Sequence, residues 1–253
     1  SNGAQQEIVL PILINGATTP SWGNTTFLIA STHDNTMPDY GLSQYWAGVV
    51  LRSSILRVFG IDDVPSFNTA ADAQRAAEDE RCLIQCNGQA ELGFIFSTGI
   101  HCLKYSNLYS NGSTPSDAAH ADTDFPLMRL AEAYIIAAEA DARMNGGVCS
   151  AYGLQLLNML RARAKAATLN SADLSVISDE WAREFYLEGQ RRTQLIRFGY
   201  YGSTNYYWDG KGYQIMNLMP VPQSIISQFP NYGPNPRSST HLKCSRTSLG
   251  TPV

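Results

Sequence analysis

The chain reads as a mainly α protein, with helical hairpins in its second half and a loop-rich subdomain carrying short strands in its first. From Phe125 onward, Leu127, Leu130, Ala131, Tyr134, Ile135 and Ala138 recur at helical spacing. Asn145-Gly146-Gly147 breaks that pattern for only a few residues before a second periodic run begins. Between Asn15-Gly16 and Gly41, by contrast, Thr, Ser, Asn, Gly and Pro punctuate the chain without any period.

Taken in order, Glu7 to Ile14 is a short apolar run ended by Asn15-Gly16, and the stretch as far as Gly41 reads as loops with short strands. Trp46 to Phe59 sets Val49, Val50, Ser53, Leu56 and Val58 at mixed helical spacing, which predicts a helix stopping at Gly60. Residues 61–85 begin as loop and run through AADAQRAAEDERCLIQC, rich in alanine and charge, and Gly88 to Asn111 is broken by glycines in the manner of a hairpin. The helix from Phe125 takes Asp124 as N-cap and pairs Glu139 with Arg143 at i,i+4. Ser150 opens the next helix, whose Leu154, Leu157, Leu160 and Ala164 stay in register, so the two should pack as an antiparallel hairpin.

A third helix is predicted from Ser178, with Asp179 and Glu180 facing the positive end of its dipole, through EFYLEGQRRTQLIRFG to a left-handed cap at Gly199. On it Ala182, Phe185, Tyr186, Gly189, Thr193 and Ile196 share a face, which assigns Gly189 to close packing and leaves Glu188 to pair with Arg191 and Arg192. Pro220 and Pro222 forbid a long helix near them, a short one is expected at Gln223 to Gln228, and the chain beyond Asn231 should be extended or poorly ordered.

Composition removes several function classes. With 253 residues, 44% of them hydrophobic, the chain can fill a sizeable core, and its net charge of -4 without any Lys/Arg cluster excludes a phosphate-binding surface, hence nucleic acid as partner. No apolar run reaches the roughly 20 residues of a membrane span, and no basic region precedes the first apolar run as in an export signal. The five cysteines are too few for a disulfide scaffold, and a Cys86 to Cys102 bridge depends on compartment. The C-x3-C spacing of Cys82 and Cys86 is offset from zinc motifs, so neither metal nor cofactor is expected. G-x-S-x-G, H-E-x-x-H, G-x-G-x-x-G and P-loop signatures are absent, and His33, His101, His120 and His241 are scattered as ordinary loop residues. Asp122 and Asp124 read as structural carboxylates ahead of a helix, and Glu184, Glu188 and the arginines near them as structural residues of their own helix, so no catalytic residue is assigned.

DTDFPLMRLAEAYIIAAEA (Asp122 to Ala140), LNMLRARA (Leu157 to Ala164), REFYLEGQRRTQLIRFG (Arg183 to Gly199) and NLMPVPQSII (Asn217 to Ile226), in this order, resemble the SusD/RagB family of surface lipoproteins of Bacteroidetes nutrient uptake. GIHCLKYSN, NTTFLIAS and MPDYGLSQYWAG match more loosely, and the likeness corresponds to the C-terminal half of a typical member. The resemblance implies tetratricopeptide-like hairpins, a location at the cell outer membrane facing outward, and a role in which oligosaccharide or polysaccharide is bound and passed to a TonB-dependent outer-membrane transporter without being transformed. Members carry further helix pairs and a lipidated cysteine ahead of this region, so membrane association is expected only through a lipid anchor that these residues do not include. A peptide-binding or protein-docking module is the alternative, and a glycan-active enzyme stands outside both. The expected organisation is a single region over 1–236, comprising a loop-rich subdomain (1–121), tetratricopeptide-like helices (122–199) and an aromatic, proline-rich cover (200–236), followed by a tail (237–253).

Sugar rings are gripped by flat aromatic faces that stack on their C–H surfaces, with amides and carboxylates nearby to hydrogen-bond hydroxyls. Trp22, Tyr40, Tyr45 and Trp46, accompanied by Asn24 and Asp39, form the best such platform because they sit in the turn-rich region. The competing reading for each ring, and the commoner use of such rings, is to anchor a satellite core. Tyr207 and Trp208 are a second candidate for contact with ligand or partner.

Overall fold

The computed structural model describes residues 4, 6–35, 37–89, 98–201, 221–229 and 231. The chain divides into two compact units, residues 1–191 and 192–253. Tyr207, Trp208, Cys244 and the tail 237–253 lie outside the described residues. Among the described residues the protein is mainly helical, with short strands in two small sheets.

In the first unit, β1 (Ile8–Ile12) leads to α1 (Asn24–Thr32), α2 (Ser54–Val58), β2 (Ser66–Phe67) and α3 (Ala70–Ala77). β3 (Ile84–Asn87) and β4 (Ile100–Cys102) follow as an antiparallel pair, whose first strand ends ahead of the Gly88 to Asn111 stretch that read as a hairpin, with β2 on the outer side of β3. Ile55, Leu56, Phe59, Phe67, Ile84, Ile100 and Tyr186 pack as one core around this small sheet. Cys82, Cys86 and Cys102 belong to the same core as free thiols, because Cys86 stands opposite Ile100 and Cys102 opposite Ile84, not opposite each other. Burial pushes the Cys82 and Cys102 thiols up to about 12.

The helix predicted for Trp46 to Phe59 is confined to α2. Ala47 and Gly48 adopt left-handed backbone (φ 55° and 92°), and the amides of Trp46, Ala47 and Val49 are instead bonded to α1. The helix predicted from Phe125 also starts later. Phe125–Arg129 is strand β5, antiparallel to β1, and α4 runs Leu130–Met144 with Arg129 at its N-cap position. Asp124 is not the N-cap of α4 and instead accepts the Ile14 amide at 2.8 Å. Periodicity could not reveal this, because the strand's partner lies more than a hundred residues upstream in sequence.

α4 and α5 (Ala151–Arg163) form the expected hairpin, and α6 (Leu174–Phe185) packs on α4. Ser150 caps α5 through the Tyr152 amide at 3.2 Å and hydrogen-bonds Asp141 of α4 through both its own amide and its hydroxyl, at 2.7 Å each. Ala131, Ile135, Ala138 and Ala142 of α4 are buried, as are Leu157 and Leu160 of α5 and Ile177, Trp181 and Phe185 of α6. Trp181 donates its indole N–H to Glu139 at 3.0 Å, so its polar atom is satisfied inside the core.

α6 begins at Leu174, capped by Asp173 through the amides of Ser175 and Val176, and not at Ser178, which is buried within it. It also does not continue to Gly199. It stops at Phe185, Tyr186 is extended, Leu187 and Gly189 are left-handed (φ 57° and 80°), and α7 (Arg191–Arg197) starts afresh. A Cβ on Gly189 would meet nothing within 4 Å, so glycine serves the backbone turn there and not a close neighbour. In the second unit Gly199 has the left-handed φ of 75° expected after α7, and α8 (Gln223–Gln228) forms where predicted. Among the described residues no helix is long and apolar enough to cross a membrane.

Candidate functional site

The break after α6 is explained by what Glu188 reaches. Arg129 grips its carboxylate with two prongs, Nε to Oε2 at 2.9 Å and Nη2 to Oε1 at 2.8 Å, while Lys104 is its other partner. Arg129 also donates to Glu184 Oε1 at 2.5 Å and to the Glu184 carbonyl at 2.7 Å, and its guanidinium lies 4.0 Å over the Phe185 ring. Arg163 joins Glu184 at 2.5 Å, and Arg81 bonds both Glu180 (2.6 Å) and Glu184 (3.1 Å). The predicted Glu188 pairs with Arg191 and Arg192 are therefore replaced by this inward network.

The network lines one side of a cavity of about 490 Å³ whose other walls include Tyr109, Asp122 and Pro126. Despite burial, the surrounding guanidinium groups hold the Glu184 carboxyl at about 2, so it stays ionised and paired at neutral pH. A carboxylate so held neither gives nor takes a proton in general acid–base work. Asp122 is likewise committed, accepting from the Gly16 amide at 2.8 Å and from the Ser116 amide and hydroxyl at 2.6 and 2.7 Å. Among the described residues no group of three His, Cys, Asp or Glu is arranged to hold a metal.

On the loop-rich subdomain the structure brings Trp22 and Trp46 together. Trp22 sits just ahead of Gly23, the N-cap of α1. Trp46 is pinned to the other end of the same helix, where the carbonyls of Ala30, Ser31 and His33 accept from Trp46 (2.6 Å), Val49 (3.0 Å) and Ala47 (2.9 Å). These carbonyls belong to the end of α1, whose last carbonyls have no intrahelical donor, so the loop and the helix satisfy each other. The two indoles lie 5.8 Å apart at 46°. Phe27, from α1, flanks Trp46 at 6.3 Å, and His120 flanks Trp22 at 4.5 Å. Trp22, Phe27 and Trp46 are 49%, 45% and 37% exposed, so the row faces solvent instead of anchoring a core.

The other candidates split from that pair. Asn24 is exposed at the first turn of α1, in left-handed backbone (φ 54°) that asparagine tolerates. Tyr45 donates its hydroxyl to Asp39 at 3.1 Å and accepts the amides of Tyr40 (2.7 Å) and Leu42 (3.3 Å), which braces the 39–45 loop. Tyr40 packs its ring 4.0 Å from His33, and both tyrosines lean on the core formed by Ile29, Ala30, Leu42, Tyr105 and Ala121. Burial raises the phenol of each tyrosine. Trp22 and Trp46 thus form the exposed surface, and Asp39, Tyr40 and Tyr45 support it. Phe27 and His120 were missed: the stretch from Asn15 to Gly41 read as turn-rich loop, so α1, which carries Phe27, was not expected, and nothing local to His120 announces its neighbour almost a hundred residues away.

Comparison with known proteins now defines the class. The profile of the SusD family matches residues 67–237, and the chain belongs to that family. It is 33% identical over 281 aligned residues to the starch-binding protein SusD of Bacteroides thetaiotaomicron, covering 93% of this chain and 50% of that protein. Among solved structures, a laminarin-binding SusD-like protein superposes with a TM-score of 0.60 at 18% identity, over 93% of this chain and 51% of the other. Surface glycan-binding protein A of Bacteroides thetaiotaomicron in complex with laminarihexaose gives 0.56 at 18% identity, over 90% and 52%. A SusD-like protein of Bacteroides fragilis gives 0.61 at 15% identity, over 92% and 55%. The chain thus spans about half the length of the relatives it matches.

Proposed function

We propose that this chain is the glycan-binding part of a cell-surface protein that holds an oligosaccharide at the Trp22–Trp46 platform and passes it to a TonB-dependent outer-membrane transporter. The single observation that carries the reading is the row of rings, with Phe27, Trp46 and Trp22 exposed and His120 partly buried at its end, on a rigidly pinned part of a SusD-family chain. Successive tilts of 53°, 46° and 55° make the row a curved surface, which suits consecutive sugar units better than one flat ring. Relatives described as binding starch and laminarin support glycan as the ligand class. In this reading the protein binds without transforming, sits at the outer face of the outer membrane, and has the transporter as protein partner.

A second reading, protein docking, is favoured by one feature. The β1–β5 ribbon and the residue after β1 leave Val9, Leu10, Ile12, Leu13, Leu127 and Met128 exposed, apolar side chains suited to contact with another polypeptide. Calorimetry with starch, laminarihexaose and a peptide panel separates the readings. Glycan binding that falls about tenfold or more in Trp22→Ala and in Trp46→Ala, with melting unchanged, supports the platform. Peptide binding alone, or glycan binding indifferent to both changes, contradicts it, and sugar products after prolonged incubation would contradict a binding-only role.

A further inference from the structure

We infer that His120 is a ligand-binding residue of the aromatic row, its Nε2 hydrogen-bonding a hydroxyl of the sugar unit that stacks on Trp22; this rests on the glycan-binding reading above. The imidazole lies 4.5 Å from the Trp22 ring at 55°, tilted against the indole and not stacked flat on it. Its loop is fixed before any ligand arrives. The Ala121 amide donates to Thr26 Oγ1 of α1 at 2.8 Å, the Ala118 carbonyl accepts from Ser43 at 2.7 Å, and Asp117 Oδ1 accepts the amides of Ala119 (2.5 Å) and His120 (2.9 Å). On the far side Gly16 packs so closely that a Cβ there would stand 2.2 Å from the His120 carbonyl oxygen, a site only glycine fits. A group held in this way loses little entropy on binding.

The two ring nitrogens have different surroundings. Nδ1 is buried without a hydrogen-bond partner and stands 3.6 Å from Asp117 Oδ1, too far for a hydrogen bond but close enough for the carboxylate to favour a proton on that nitrogen. Nε2 is not buried without a partner as Nδ1 is, and among the described residues nothing bonds it, so on a side chain 17% exposed it is the ring nitrogen left for a ligand beside Trp22. A pyranose lying on an indole projects its hydroxyls around the ring edge, where a fixed acceptor meets them. Stacking on the tryptophans tolerates many sugars, and one directed acceptor at the end of the row distinguishes them by hydroxyl position.

The test titrates the full chain calorimetrically with laminarihexaose and with maltoheptaose, alongside His120→Phe, His120→Gln and Trp22→Ala. His120→Phe keeps a ring against Trp22 and removes the nitrogens. It should bind the better of the two glycans about three- to tenfold more weakly, and His120→Gln, which restores an acceptor, should recover part of the loss. Both should melt as the unsubstituted protein does. In the latter, the His120 Nε2 nitrogen resonance should shift on saturation with glycan, a readout independent of any substitution. Undiminished affinity in His120→Phe, or a stationary Nε2 resonance at saturation, overturns the assignment. If Trp22→Ala weakens binding while His120→Phe does not, only the histidine role fails. If neither change matters, or neither glycan binds, the platform reading fails with it.

Discussion

The helical frame and the loop-rich subdomain solve opposite problems with the same materials. In the frame, charged side chains turn inward: Glu180, Glu184 and Glu188 are almost fully buried, and each is met by an arginine or a lysine. In the subdomain, aromatic side chains turn outward while backbone amides and carbonyls do the holding. Buried ion pairs specify a single geometry at a high desolvation cost, and they make the frame sensitive to loss of any one partner. Backbone pins leave the side chains on the surface available, so Trp22 and Trp46 can change with little effect on stability and a large one on binding.

Breaking the frame should give the largest stability effect. Glu184→Gln leaves Arg129 and Arg163 without their shared carboxylate and should cost about 3–5 kcal/mol of unfolding free energy, measured by denaturant melts. Retention of full stability would mean that the network is incidental.

Acid should separate the two regions in pH. His33, buried against Tyr40 beneath the Trp46 loop, is lowered to about 4 from 6.5, chiefly by desolvation. The unfolded chain binds its proton first, so stability is highest above pH 6.5 and falls between 6.5 and 4, by roughly 3 kcal/mol in total. Glu184 is also depressed, to about 2 from 4.5, so its contribution is present above pH 4.5 and lost between 4.5 and 2. Melts across pH should therefore show the platform loosening first, with glycan affinity falling before the helical signal. His33→Phe should remove the upper part of the decline.

The smallest effect concerns the turn between α6 and α7. Gly189→Ala forces a Cβ into left-handed backbone and should cost about 1–2 kcal/mol, although the space around it is empty. A stabilising substitution would show that the turn after α6 relaxes into helix, as the sequence pattern alone suggests.

What could be read in advance follows the same division. The α4–α5 hairpin was legible because its signals are local: a 3.6-residue period, the Gly146-Gly147 break and the Ser150 cap. The end of α6 was not. Glu188 and Arg192 satisfy the helical pairing rule perfectly, while the partner that wins, Arg129, lies 59 residues away. β5 was missed for the same reason, since helical periodicity in Leu127 and Leu130 says nothing of a strand partner at Ile8–Ile12. Trp22 and Trp46 stood out as large rings amid turn residues, but only the fold brings them within 5.8 Å, adds Phe27 and His120, and withdraws Tyr40 and Tyr45 into support.

A crystal structure with bound laminarihexaose or maltoheptaose tests the central claim most directly. The account predicts consecutive sugar units stacked on Trp22 and Trp46, with His120 Nε2 within hydrogen-bond distance of a hydroxyl. Sugar bound at full occupancy elsewhere, with both indoles bare, would contradict it.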